Sequence, residues 1–185
     1  MNQRIRKWNA RLVLHLGLSL ALAAAGWTAA AGGLPAPKAN AQSQIQHEQL
    51  AEQLAEWGLF AGTGQGFELE KGATRAEALV MLLRLLGVEK QAKEQYSADA
   101  AHPFQDVPAW ANPYVSYAYT HKITSGVSAD RFGSQEPVTV NQYFTFVLRA
   151  LGYSDAEGAQ QDFVWSQAAA KAADIGMEGA ELYLG

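Results

Sequence analysis

Residues 74–87 read TRAEALVMLLRLLG, and this stretch decides the fold. Thr74 opens it and Glu77 follows three residues later, the spacing at which two side chains satisfy orphan backbone N–H groups at a helix start. Leu79, Leu82, Leu83 and Leu86 then recur at helical spacing and form one apolar stripe. Gly87 stands where a helix stops. Upstream, residues 42–57 carry Ile45, Leu50, Leu54 and Trp57 at the same period among Gln and Glu, and Gly58 follows. Gly62-Thr63-Gly64-Gln65-Gly66 separates the two helices. The unit is helix, loop, capped helix, stop.

The same grammar returns 65 residues later. Phe67 aligns with Phe132, Thr74 with Thr139, Arg84 with Arg149, and Leu86-Gly87 with Leu151-Gly152. Thr139-Val140-Asn141-Gln142 predicts a second capped helix, with Phe144, Val147, Leu148 and Leu151 as its stripe. Its leading helix is expected over 109–120, where Trp110, Tyr114, Tyr117 and Ala118 are available to pack. A third start, Asp162-Phe163-Val164-Trp165 followed by Ala168 to Ala173, parallels the second unit from Asp106. An internal repeat of this kind outweighs any single motif. Residues 89–101 are polar and carry no apolar stripe, so they read as a helix extension or a solvated linker. No segment sustains period-2 alternation; only 66–69 and 131–133 are short extended candidates. The expected class is all-α.

The first 41 residues stand apart. Arg4, Arg6, Lys7 and Arg11 precede an apolar run from Leu12 to Ala25, and Ala39-Asn40-Ala41 has the form of a signal-peptidase site. Residues 1–41 are therefore expected to be a signal peptide, with no stable membrane insertion after its removal. The rest divides as a first repeat over 42–97, a second over 98–156 and the first half of a third over 157–185. A sequence that stops halfway through a repeat fits an anchor joined to something further, because half a repeat leaves an apolar face uncovered.

Five of the 14 Lys and Arg, and none of the 18 Asp and Glu, lie in residues 1–41. The remainder is thus more acidic than the whole-chain formal charge of −4 suggests. Nucleic acid, which wants clustered cations, is excluded as a partner. The chain has no cysteine, which removes disulfides, thiolate nucleophiles and cysteine metal sites. No H-E-x-x-H, G-x-S-x-G or paired-carboxylate pattern is present, and His15, His47, His102 and His121 are scattered. The Gly62–Gly66 loop lacks the strand and the Lys-Ser/Thr of a phosphate loop, and Asp155-Ala156-Glu157-Gly158 is too short for a calcium loop. No enzyme, cofactor or metal is expected.

The second unit reads Phe104-Gln105-Asp106-Val107-Pro108-Ala109-Trp110-Ala111, then Tyr114-Val115, Ala118, Ile123, Gly126, Phe132 and Leu148-Arg149-Ala150-Leu151-Gly152. This order resembles the S-layer homology module, and Thr74-Arg75-Ala76-Glu77 of the first unit is similar to its T-R-A-E motif. The likeness spans about residues 45–177. It implies a pseudo-threefold helical prism on the cell surface, noncovalently holding a peptidoglycan-linked polysaccharide, often pyruvylated, in grooves between units. The glycan-binding residues it implies are Arg75, Glu77, Gly62, Asp106, Trp110 and Gly126. Val140 and Gln142 stand where the module has arginine and glutamate, the first unit lacks an F-x-D-V lead-in, and the third lacks a second helix. Two alternatives stay open: a surface-layer assembly protein that self-associates and whose glycan site has decayed, and the anchor of a longer surface protein or enzyme.

Individual residues carry competing readings. Arg75 begins a helix, where the macrodipole disfavours a cation; it either grips a sugar carboxylate or pairs with Glu77 or Asp106. Glu77 reads first as a cap. Trp57, Trp110 and Trp165 read as core before sugar platforms, and Tyr114, Tyr117 and Tyr119 are ambiguous in the same way.

Overall fold

A computed structural model describes residues 41–58, 72–96, 101–158 and 160–183. Among these residues six α-helices succeed one another: α1 (Ala41–Glu56), α2 (Arg75–Leu85), α3 (Glu89–Gln95), α4 (Asn112–Thr120), α5 (Val140–Ala150) and α6 (Ala168–Asp174). Short 3-10 turns cover Ala109–Ala111, Trp165–Gln167 and Ala180–Tyr183. Among the described residues there is no named strand, only an isolated antiparallel bridge between Thr74 and Pro137. The class is all-α, as expected. Residues 1–40 of the expected leader, the Gly62–Gly66 loop and the extended candidate at 66–69 lie outside the described residues.

The two capped helices follow the same local rules. Thr74 N–H donates to Glu77 Oε2 at 2.8 Å and Glu77 N–H to Thr74 Oγ1 at 3.3 Å. Gln142 takes the same part at α5, accepting from Thr139 N–H at 3.0 Å and donating its own N–H to Thr139 Oγ1 at 3.3 Å. Each helix ends alike: Gly87 N–H reaches Arg84 O and Gly152 N–H reaches Arg149 O, with both glycines at positive φ. Because Gln142 already performs Glu77's task, Glu77→Gln is expected to change stability by less than about 0.5 kcal/mol. Thr74→Ala, which removes the cap acceptor, is expected to cost about 1 kcal/mol in a urea melt.

One apolar core joins α2 to α6. Leu79, Leu82 and Leu83 meet Val115 and Ala118 of α4, Phe132 of the following loop, Phe146 and Leu148 of α5, and Ala168 and Ala172 of α6, all fully buried. The stretch left open at 89–101 begins as helix α3, which buries Ala92 and sets Tyr96 edge-on to Tyr117. Its first residue, Glu89, accepts from Tyr114 Oη at 3.2 Å and pairs with Arg84 at 3.2 Å and Lys93 at 3.1 Å. Burial alone would raise the Glu89 pKa, but the hydrogen bonds and charges of Lys93 and Arg84 hold it below its ordinary value.

The expectation that Trp57, Trp110 and Trp165 belong to the core is corrected: they are 59%, 51% and 57% exposed. Trp110 and Trp165 sit in 3-10 turns, whose tighter winding shifts the phase that an α-helical reading assumes. Ala111 goes inward where Trp110 turns out. Trp57 lies just past the last residue of α1.

Candidate functional site

The start of α2 docks onto the loop that precedes α5. Arg75 N–H donates to Glu136 O at 2.8 Å, Ala76 N–H to Ser134 O at 3.2 Å, and Val138 N–H to Ala73 O at 3.1 Å. The Arg75 side chain lies over the rings of Phe132 in this loop and Phe146 of α5, with its guanidinium carbon 5.1 Å and 4.5 Å from their centres. It is 4% exposed, yet among the described residues it makes no hydrogen bond or ion pair, and Nε is buried without a partner. Burial foremost, then repulsion from Arg149, draws its pKa down to about 10 against the weaker pull of Glu136 and Asp106. It remains a cation at neutral pH.

That cation lines a groove of about 340 Å³. Ser125, Gly126 and Val127 of the α4–α5 connection, Gln142, Thr145 and Arg149 of α5, and Asp155 and Trp165 line it with Arg75. Asn141 ties the turn that carries Trp165 to α5, because its amide donates to Ser166 O at 2.7 Å and its carbonyl accepts from Ala169 N–H at 3.0 Å. Arg149 is already engaged: Asp155 takes its Nε and Nη2 at 2.7 Å each, and Ser125 Oγ lies 3.3 Å from Nη2. Such a two-pronged pair is rigid as well as strong. Among the described residues the groove therefore offers a guanidinium without a partner, a clamped ion pair and an exposed indole.

Of the residues marked in the sequence, Arg75 and Gly126 meet at this groove. Asp106 serves the loop from below, accepting from Phe132 N–H and Gly133 N–H at 2.7 Å and Ser134 N–H at 3.3 Å. Arg75 pairs with neither Glu77 nor Asp106, since the first is held in the cap and the second on backbone. Trp110 is exposed but does not line the groove, and Gly62 lies outside the described residues. Trp165, Arg149 and Asp155 were not marked as site residues, although the alignments of Arg149 with Arg84 and of the Trp165 stretch with the second unit's lead-in were signals available for the first two.

Gly126 is required by its surroundings. Its φ is +81°, and a Cβ there would collide with the Phe104 ring and stand 2.6 Å from Arg131 O. Gly126→Ala is expected to cost about 2 kcal/mol in denaturant unfolding, because both the backbone conformation and the contact are strained.

Among the described residues no cluster of acidic and histidine side chains is arranged to hold a metal, and no helix is long and apolar enough to cross a membrane. Residues 103–139 match the S-layer homology domain. The chain is 32% identical over 145 residues to a middle cell wall protein of Brevibacillus brevis, a match covering 76% of this chain and 13% of that protein. A surface layer protein of Brevibacillus choshinensis is 34% identical over 121 residues, covering 64% of this chain and 10% of the relative. An endoglucanase of a Bacillus species is 32% identical over 91 residues, covering 49% and 9%. The chain thus spans only a small part of the length of these relatives. No solved structure matches it. The motif order of residues 104–152, the capped helices and the matched segment agree, and the chain is an S-layer homology domain protein.

Proposed function

We propose that this protein attaches noncovalently to the cell wall by seating an acidic group of a peptidoglycan-linked polysaccharide in the groove at Arg75. A cell-wall anchoring role at the cell surface follows from the family and its relatives; the polysaccharide and its contacts are our reading. The observation that carries it is the Arg75 guanidinium, buried and without a partner among the described residues where it lines an open groove. A buried charge left unpaired is costly, and an incoming carboxylate would supply the two-pronged contact it lacks. A ketal-linked pyruvate is one such group. Trp165 supplies a flat apolar face of the kind a sugar ring packs against.

In this reading Arg75 and Gly126 border the sugar, while Asp106 and Glu77 hold the loop and helix start that present them. The helices group as two repeats over 42–97 and 98–156 and a partial third over 157–185, following an export leader over 1–41. The segment is an anchor and not a catalyst: related segments occur in a protein named for the cell wall and in one named as an endoglucanase, so the shared part need not carry the activity.

Retention on purified sacculi tests the proposal. Wild type is expected to be retained, and Arg75→Ala to be lost. Equal retention would remove Arg75 from the site, and no retention of either would remove the function.

A further inference from the structure

Among the described residues, the carboxylates of Glu136 and Asp106 act on the Arg75 guanidinium and that of Asp155 lines the same groove, and each is engaged elsewhere. Asp106 accepts from three backbone N–H groups, Asp155 is clamped by Arg149, and Glu136 is paired with Arg131. Glu136 is the one placed to interfere. Its backbone carbonyl is bonded to Arg75 N–H, so the two residues are pinned side by side. A Cβ built on Gly133 would stand 3.1 Å from Glu136 Oε2 and 3.4 Å from Arg75 Cδ. The two side chains therefore flank a residue that has nothing to hold them apart. Arg131 and Glu136 are both about half exposed, so their pairing is one of several arrangements open to flexible side chains.

Resting on the groove reading above, we propose that Arg131 is a positioning residue for the anion site. By holding the Glu136 carboxylate at the surface, it keeps that carboxylate from closing on Arg75. A tethered carboxylate competes with any external one at high effective concentration. If Glu136 occupied Arg75 nine-tenths of the time, apparent affinity for an outside anion would fall about tenfold. Arg131 is not among the residues lining the groove, so this effect reaches the ligand only through Glu136 and Arg75.

The test is binding of the full chain to purified sacculi at low ionic strength, where exposed charges are least screened. Wild type, Arg131→Gln, Glu136→Gln and the double variant are compared, with Arg75→Ala as reference and a thermal melt confirming that each is folded. Arg131→Gln is expected to bind about tenfold more weakly and Glu136→Gln at least as tightly as wild type. The double variant is expected to return to within about twofold of wild type. Wild-type binding by Arg131→Gln would overturn the proposal. So would a double variant as weak as the single one, because Arg131 would then act on the ligand or the loop directly. If wild type and Arg75→Ala bind alike, the groove reading itself fails, and that pair alone reveals it.

Discussion

Replacing Arg75 by methionine is expected to abolish retention on sacculi while making the protein more stable, by about 2 kcal/mol, or roughly 5 °C in a thermal melt. The two effects share a cause. The guanidinium is buried, repelled by Arg149 and, among the described residues, unpaired, so its desolvation is not recovered there. Its position over the Phe132 and Phe146 rings returns some of this through cation–π attraction. A thioether of similar length keeps the ring contacts and removes the charge. A residue kept for packing would show the opposite pattern. Retained wall binding together with lowered stability would place Arg75 among the structural residues.

Asp106→Ala is expected to destabilise the protein by about 3 kcal/mol, the largest loss predicted here, because three backbone N–H groups lose their shared acceptor. The pH dependence follows. Partial burial alone would raise the Asp106 pKa, but the N–H groups of Phe132, Gly133 and Ser134 outweigh it and hold the carboxyl below its ordinary value of 3.8. A carboxyl depressed in the folded state contributes stability that is complete above its unfolded pKa and is lost as pH falls through the folded one. Urea melts are therefore expected to show this contribution at pH 7 and its decline below about pH 4, with Asp106→Ala lacking that part of the acid dependence. Wall binding should weaken with it, since the same loop carries Phe132 beneath Arg75. An unchanged acid profile in the variant would mean that the loop is held by other contacts.

Much of this architecture was readable from residue order. Thr74 and Glu77, and again Thr139 and Gln142, gave both capped helices because a capping box is local and needs only three residues of chain. The tryptophans were misread for a physical reason: helical spacing tells inside from outside only while the winding is α-helical. Trp110 and Trp165 lie where it tightens to 3-10. Asp106 could be marked but not explained, since its partners lie 26 to 28 residues away and depend on the path of a loop. The groove was hardest to see. It gathers Arg75, Gly126, Arg149, Asp155 and Trp165 from positions scattered over about half the chain, and no spacing rule links them.

The seam between Thr74 and Pro137 has a further consequence. Residues on its two sides, and Trp165 beyond them, border one cleft, so a polymer strand lying there would act as a splint across segments distant in sequence. Whatever favours the folded form by binding raises its stability in proportion to the logarithm of occupancy. The protein would then be hardest to unravel while docked and easiest to degrade once shed.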